Sequence, residues 1–186
     1  EKAAAFKLSK NEKIITFIAV GSLYPVKGYE SLIEAAKILH QKMLTFKIHI
    51  YGQGFLKEVL QEQIYSLGLS EFIILKGFVD NPYPYIKSAD VFVMTSLSEA
   101  MPMALCESIL LEKPVLVTDC SGCREVVGYG EFGMMVHQSP DAIAQGMERF
   151  ILKKENLNLY TEKSKIRALD FKDQKILENL NKIFLG

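Results

Sequence analysis

Short apolar runs alternate with longer amphipathic stretches along most of the chain. The runs are rich in β-branched residues and several end at a glycine, which is typical of buried parallel strands. They predict strands at residues 14–20, 46–51, 72–75, 90–95, 114–118 and 134–136. Between the runs, apolar residues recur with helical spacing, as at Leu32, Ile33, Ala36 and Leu39. The predicted helices cover residues 28–40, 55–67, 85–88, 102–111, 140–153, 157–168 and 173–184.

Repeated strand–helix units of this length predict an α/β fold, a doubly wound, mainly parallel sheet with helices on both faces. No linker, low-complexity segment or second domain interrupts the pattern, so residues 1–186 are expected to form a single domain. A ligand of such a sheet lies beyond the carboxyl ends of the strands. The candidate loops are therefore residues 21–27, 52–54, 77–81, 95–103 and 118–125.

Composition and charge exclude several classes of partner. The 186 residues are 49% hydrophobic and 24% charged, which is ordinary for a soluble globular domain. Because 22 basic residues balance 22 acidic ones, a nucleic-acid partner or a broad basic membrane face is not expected. No apolar stretch approaches the roughly 20 residues that a membrane-spanning helix needs. Three cysteines, an odd count, favour a reducing compartment, so the expected location is the cytoplasm.

Two acidic residues, Glu99 and Glu107, flank the start of the helix predicted from Pro102. A helix start points free amide groups towards an anion. Glu107 lies roughly 7 Å further along the helix axis, at 1.5 Å per residue. An extended ligand could therefore place a charged group at the helix start and hydroxyl groups at Glu107. Alternatively, Glu107 is a structural residue, because a carboxylate buried in this apolar run would need a Lys, Arg or hydroxyl partner.

Two loops carry weaker signals. Lys27 stands at a helix start after the first strand, where amide groups and the helix dipole favour an anionic ligand, although an exposed surface lysine explains it equally well. The loop is neither a P-loop nor a dinucleotide-binding glycine motif. Gly52 and Gly54 follow the second strand and allow a close approach of backbone, as would a plain turn.

Cys120 and Cys123 form a Cys-x-x-Cys motif, which suggests redox or metal chemistry. Zinc would need two further ligands, whereas Cys106 lies in a predicted helix and the three histidines show no ligand spacing. The simpler interpretation is a tight glycine turn that leads into a helix. No zinc or other metal site is therefore assigned.

Taken in order and spacing, these segments resemble the donor-binding half of a retaining GT-B glycosyltransferase of the group 1 family. That family includes glycogen synthase and bacterial mannosyl- and glucosyltransferases. The resemblance covers the chain from Ile14 onwards and implies the Rossmann-like C-terminal half of a GT-B fold. It rests on residues 21–28, 51–54, 77–81, 89–91, 99–107, 113–115 and 118–125.

The resemblance implies a role for each candidate residue. Lys27 contacts the diphosphate of a nucleotide-diphosphate sugar and Glu99 sits at the transferred sugar, which makes these two the catalytic residues. Glu107 holds the ribose hydroxyls, and the Val79 backbone lies near the base. The remaining donor-binding positions, including the backbone along the phosphates and sugar, are Gly21, Ser22, Met101, Pro102, Met103, Ala104 and Leu105. The helix dipole and Lys27 would stabilise the departing diphosphate, so neither a metal nor a cofactor is expected, in keeping with the lack of a D-x-D motif.

Two positions depart from the family pattern. Ser22 stands where members usually carry arginine, and Ala100 stands where they usually carry glycine. A lost charged contact to the transition state costs on the order of 3 kcal/mol, or about a hundredfold in rate. Arg124 is a candidate to supply the missing cation. The departures are expected to lower the efficiency of transfer rather than to alter the fold.

The resemblance also implies a partner domain. In GT-B enzymes an acceptor domain precedes the donor-binding domain, and the residues before Ile14 are too few to form one. We therefore expect a fragment that does not turn over alone, with any membrane association supplied by the missing domain. The whole protein would transfer a sugar with retention of configuration, in bacterial polysaccharide or lipopolysaccharide synthesis by family frequency. The alternatives are a non-catalytic nucleotide-binding or structural Rossmann-like domain, or a redox domain built on Cys120 and Cys123.

Overall fold

The computed structural model describes residues 14–171, and within them six strands form one sheet. The strands are β1 Ile15–Val20, β2 Phe46–Tyr51, β3 Ile73–Gly77, β4 Val91–Met94, β5 Val115–Thr118 and β6 Met134–Val136. The pairings between them are parallel, in the order β3-β2-β1-β4-β5-β6. The predicted strands all form; β2 and β6 have the predicted ends, and the ends of the other four differ by at most two residues.

Seven α-helices connect and cover the strands within residues 14–171. They are α1 Tyr29–Gln41, α2 Lys57–Ser66, α3 Tyr83–Ser88, α4 Met103–Leu110, α5 Ser121–Val126, α6 Pro140–Leu152 and α7 Lys154–Phe171. Short 3-10 turns form at Pro25–Lys27 and Gly128–Gly130. The helix predicted at residues 173–184 lies outside the described residues. None of the helices described is long and apolar enough to span a bilayer.

The helices bury both faces of the sheet. Because side chains alternate along a strand, Phe17 of β1 packs into one apolar cluster and Ile18 into the other. The first cluster includes buried residues of α1, α2 and α6, whereas the second includes buried residues of α3, α4, α5 and α7. This arrangement confirms the predicted α/β fold with a parallel sheet and helices on both faces.

The strand order places the candidate loops together. From β1 the chain builds outwards to β2 and β3 on one side, and to β4, β5 and β6 on the other. The helices that follow β1 and β4 pack on opposite faces of the sheet, which opens a crevice at the carboxyl ends of these two strands. The loop after β1 leads to Lys27 and the loop after β4 to Glu99, so two segments far apart in sequence meet at one point of the fold.

Two local predictions need correction. Helix α4 begins at Met103, with Pro102 as its N-cap at φ −80° and ψ 78°, rather than including Pro102 in its first turn. The apolar spacing within residues 55–67 also predicts a packed side formed by Leu56, Val59, Leu60, Ile64 and Leu67. Val59 is instead exposed, because α2 contacts the core through Leu60 and Ile64. Neither difference moves the candidate loops.

Candidate functional site

Lys27 and Glu99 form an ion pair in the crevice between β1 and β4. The Lys27 Nζ lies 2.6 Å from Glu99 Oε1, and the Ser96 hydroxyl donates to the same oxygen at 2.7 Å. The two charged side chains are only 21% and 10% exposed. The structure thus brings together the lysine and the first glutamate, although 71 residues separate them in sequence.

Backbone contacts hold Lys27 against the loop after β4. The Lys27 carbonyl accepts a hydrogen bond from Thr95 Oγ1 at 3.0 Å, and the Leu97 amide donates to the Val26 carbonyl at 2.8 Å. Gly28 ends the 3-10 turn at φ 63°, and a β-carbon there would overlap the Thr95 carbonyl. Only glycine satisfies both conditions, so the glycine after Lys27 fixes where the lysine leaves the backbone.

Helix α5 holds the loop that carries Glu99. The Gly122 amide donates to the Glu99 carbonyl at 3.1 Å, and a β-carbon on Gly122 would lie 2.5 Å from that oxygen. Cys120 is the N-cap and Ser121 begins the helix, so Gly122 lies inside α5 rather than in a turn before it. Its small size permits the close approach of the helix to the Glu99 loop.

Tyr29 is a site neighbour that sequence reasoning missed. Its hydroxyl donates to the Gly21 carbonyl at 3.3 Å, and Tyr29 lines a small cleft together with Lys27 and Ser96. Burial, reinforced by the Glu99 carboxylate, raises the pKa of Tyr29 well above its usual range, so the hydroxyl stays protonated. Tyr29 fits the apolar pattern of α1. That pattern does not reveal that the Tyr29 hydroxyl also contacts the Gly21 carbonyl.

An open cavity of about 480 Å³ is lined in part by Gly21, and a β-carbon on Gly21 would lie 3.4 Å from the Cε atom of Lys27. The cavity has a size typical of small-molecule sites. The predicted residues Gly21, Ser22 and Val79 line it. Tyr51 and Phe78, which sequence reasoning did not assign, contribute aromatic rings to the same wall. The cavity therefore offers apolar surface beside a site that carries charge.

The glycines after β2 serve contact between loops. The Gly21 amide donates to the Tyr51 carbonyl and the Leu23 amide to the Gln53 carbonyl, both at 2.9 Å. A β-carbon on Gly52 would overlap the Gly21 carbonyl, and one on Gly54 would overlap the Leu23 backbone. Of the two explanations left open by the sequence, close backbone approach applies, and the partner is the loop after β1.

The start of α4 offers fewer free amides than predicted. The Met103 amide donates to the Met101 carbonyl and the Leu105 amide to the Pro102 carbonyl, each at 3.0 Å. The Ala104 amide has no backbone acceptor among residues 14–171. The Met101 and Met103 side chains are exposed at this end of the helix. The helix start therefore presents one available amide, rather than a row of them, to a ligand.

Glu107 is half-buried rather than buried. It shares the exposed edge of α4 with Met103 and Leu110, one turn to either side, whereas Leu105 and Ile109 face the core. The expectation of burial in an apolar run was wrong because helical periodicity puts this position on the edge. The expected donor does exist, since the Tyr83 hydroxyl donates to Glu107 Oε1 at 3.2 Å.

The remaining candidates are engaged elsewhere. Cys120 and Cys123 are buried, and the Cys123 thiol donates to the Met94 sulfur at 3.7 Å. Burial, together with Cys120, raises the pKa of the Cys123 thiol, which opposes thiolate chemistry. Residues 14–171 contain no group of three or more His, Cys, Asp or Glu arranged to hold a metal ion.

Arg124, the candidate for the missing cation, pairs with Asp119 and lowers the pKa of that carboxyl.

Comparison with known proteins identifies relatives of this chain. The profile of the family described as "Glycosyl transferases group 1" matches residues 1–167. The chain is 33% identical over 171 residues to the N-acetylgalactosamine-N,N'-diacetylbacillosaminyl-diphospho-undecaprenol 4-alpha-N-acetylgalactosaminyltransferase of Campylobacter jejuni, covering 91% of this chain and 46% of that protein. It spans less than half the length of the curated relatives it matches.

Two solved structures share the fold. S. aureus TarM, solved as a mutant in complex with Fondaparinux, alpha-GlcNAc-glycerol and UDP, matches with a TM-score of 0.83 and 19% identity, over 96% of this chain and 38% of TarM. The pneumococcal O-GlcNAc transferase GtfA, in complex with UDP and GlcNAc, matches with a TM-score of 0.82 and 22% identity, over 94% and 36% of the two chains. At these identities the likeness shows a common fold.

Proposed function

The chain belongs to the glycosyl transferases group 1 family, and on this premise we propose that it is the donor-binding domain of a retaining glycosyltransferase. Its ligand is a nucleotide-diphosphate sugar, which serves as co-substrate. The observation that carries the proposal is the Lys27–Glu99 pair, a cation and a carboxylate on the loops that follow β1 and β4. Gly21, close to the Lys27 side chain, lines the cavity, and Glu99 precedes α4 by four residues. A nucleotide-diphosphate sugar has a matching order of groups: an aromatic base, ribose, two phosphates and a sugar.

The proposed pose follows from the chemistry of each group. The base occupies the cavity beside the Val79 backbone, and the ribose hydroxyls donate to Glu107. The diphosphate lies between the Lys27 ammonium and the Ala104 amide, because both are donors that favour negative charge. The sugar then reaches Glu99. Lys27 is shared between Glu99 and the diphosphate, so donor binding weakens the resting ion pair and leaves the carboxylate to accept from a sugar hydroxyl.

Transfer breaks the bond between the anomeric carbon and the diphosphate oxygen, and that oxygen takes the electron pair. Lys27 and the α4 amide stabilise this developing charge more strongly than the ground state, which is the source of catalysis in the proposal. The acceptor hydroxyl forms its new bond to the anomeric carbon on the face from which the diphosphate leaves and gives its proton to the departing diphosphate oxygen, so the configuration is retained. The proposal uses no metal ion, since a cation and a helix dipole already face the leaving group.

The acceptor domain is part of the proposal. A GT-B enzyme uses two domains, and this chain spans 46% of the Campylobacter relative. We infer that an acceptor domain elsewhere in the protein completes the active site, and that the chain alone binds donor without turnover. We also propose a hexosyl-type transfer in bacterial polysaccharide or lipopolysaccharide synthesis, in the cytoplasm. The names of three bacterial relatives, two of them N-acetylhexosaminyltransferases and one an amylovoran biosynthesis glycosyltransferase, support the sugar transfer and the polysaccharide role.

Isothermal titration of the 186-residue chain with UDP, GDP and ADP tests the proposal. At least one nucleotide should bind with a Kd below about 1 mM, which corresponds to roughly 4 kcal/mol. Glu107→Gln should weaken that binding, whereas Glu99→Gln should spare the nucleotide and weaken the nucleotide sugar. Glu58→Gln, an exposed carboxylate in the first turn of α2, is the control and should change neither. A folded chain that binds none of the three nucleotides at millimolar concentration would refute the proposal.

A non-catalytic nucleotide-binding domain is the second candidate. Ser22 favours it, because this residue lines the cavity at a position where the family usually carries a cation. Arg124, the other candidate cation, is engaged with Asp119. Incubation of the full-length protein with donor and with acceptor extracts separates the two functions. Nucleotide binding without release of free nucleoside diphosphate would favour the second.

A further inference from the structure

Tyr83 contacts the site from a helix that the donor-binding scheme does not use. Its hydroxyl donates to Glu107 Oε1 at 3.2 Å, which bridges the start of α3 and the edge of α4. The nearby Glu107 carboxylate raises the pKa of Tyr83, so the hydroxyl remains protonated and able to donate at neutral pH. Tyr83 is 46% exposed, so it is not part of the buried core.

The backbone around Tyr83 is unusually constrained. Pro82 and Pro84 flank it, and the ring of each proline restricts its own φ, which is −80° at Pro82. The Tyr83 amide donates to Asn81 Oδ1 at 3.1 Å, which closes a turn before α3. Ile86 anchors the same helix in the core. The direction in which the Tyr83 side chain leaves the backbone is therefore set by the fold.

The next tyrosine ties α3 to the cavity. The Tyr85 ring stacks on Tyr51 with ring centroids 4.7 Å apart and an interplanar angle of 27°. Tyr51 in turn lines the cavity proposed for the base. A displacement of α3 would thus disturb the cavity wall as well as the bond to Glu107. The two tyrosines make α3 a fixed support on the nucleoside side of the site.

We propose that Tyr83 is a positioning residue that holds the Glu107 carboxylate and thereby sets the preference of the site for ribose over deoxyribose. This inference rests on the proposed function. With Oε1 engaged by Tyr83, the carboxylate keeps one orientation and Oε2 faces the ligand. Without that bond, Glu107 would sample several rotamers on its half-buried edge, and ribose binding would have to select one of them.

The test compares ribose and deoxyribose ligands rather than affinity alone. UDP, GDP and ADP are each titrated beside their 2′-deoxy and 3′-deoxy analogues, into the unmodified chain and into Tyr83→Phe. The unmodified chain should prefer the ribose form by about tenfold, the effect of one hydrogen bond to a charged group. In Tyr83→Phe this ratio should fall to about threefold or less, with weaker binding of the ribose form. The deoxy analogue that lacks the contact should bind about as before.

Two controls separate positioning from a general loss of structure. Tyr85→Phe removes a hydroxyl two residues away on the same helix and keeps the stacked ring, so the ribose preference should stay within about twofold of the unmodified chain. In a Glu107→Gln background, Tyr83→Phe should have little further effect on the ratio, because the two residues act through one interaction.

The outcomes distinguish a failure of this inference from a failure of the proposed function on which it rests. An unmodified chain that binds no nucleotide refutes the proposed function and this inference with it. Nucleotide binding with a ribose preference that is unchanged in Tyr83→Phe refutes the inference alone. An equal loss of ribose preference in Tyr85→Phe also refutes it, since the effect would then come from α3 as a whole.

Discussion

Replacement of Lys27 by methionine tests the centre of the site, because it removes the charge and keeps a side chain of similar length. Glu99 Oε1 then loses the ammonium at 2.6 Å and keeps only the Ser96 hydroxyl at 2.7 Å. Removing one partner of a fully buried pair costs about 3–5 kcal/mol, and of an exposed pair about 0–1 kcal/mol. With side chains 21% and 10% exposed, the pair lies between these limits. We expect the free energy of unfolding to fall by about 1–3 kcal/mol at pH 7.

A double-mutant cycle in urea measures this value. Glu99→Gln in the Lys27→Met background removes the unpaired carboxylate, so the double variant should be more stable than Lys27→Met alone by about 1 kcal/mol. Lys37→Met is the control. Lys37 pairs with Glu34 at 3.4 Å, both side chains being 39% exposed, and such helix pairs contribute only about 0.2–0.5 kcal/mol.

The Lys27→Met variant also tests whether Lys27 contacts the diphosphate rather than the nucleoside, because the binding of each can be measured. Lys27→Met should weaken binding of UDP by about tenfold or more, the loss of one charged hydrogen bond, and leave uridine within about twofold. If the chain binds GDP or ADP more tightly than UDP, GDP is compared with guanosine, or ADP with adenosine, in the same way. An equal loss for the nucleoside and its diphosphate, together with an unfolding free energy within about 0.5 kcal/mol of the unmodified chain, would refute the assignment of Lys27.

Three further predictions concern the surroundings of this pair. Gly122→Ala places a carbon 2.5 Å from the Glu99 carbonyl, so unfolding free energy should fall by about 1–3 kcal/mol and nucleotide-sugar affinity should fall with it. Gly146→Ala in α6, where the added carbon would meet the Leu116 and Val136 side chains, should leave that affinity unchanged in the same titration. Ser22→Arg should strengthen UDP binding by about fivefold in calorimetry, whereas Ser22→Gln, which adds length without charge, should not. Since the raised pKa of Tyr29 keeps its proton in the folded state, stability should fall above about pH 10 by up to about 1.4 kcal/mol per pH unit, and Tyr29→Phe should lessen that slope in urea titrations.

The candidate site was predicted from sequence at the level of segments. The loops after β1 and β4 do meet, because these parallel strands are neighbours in the sheet, and the resemblance to group 1 glycosyltransferases is confirmed by the family match. The state of Glu107 was harder to predict, because an apolar run does not show which edge of a short helix faces solvent. The free amides at the start of α4 were overestimated for a related reason. Two of these amides donate to nearby backbone carbonyls in local turns. The residue types at a helix end do not fix where the helix begins or which amides such turns use.

The sequence by itself determined the class of fold and the order of its elements. Strand and helix periods are local properties, so alternating apolar runs and amphipathic stretches suffice to predict a doubly wound sheet. Only the tertiary structure decided the contacts that make a site: Lys27 with Glu99, Tyr29 with Gly21, and Tyr83 with Glu107. Such contacts depend on strand order, on how closely glycine backbones approach and on side-chain direction, and none of these leaves a periodic trace in the chain.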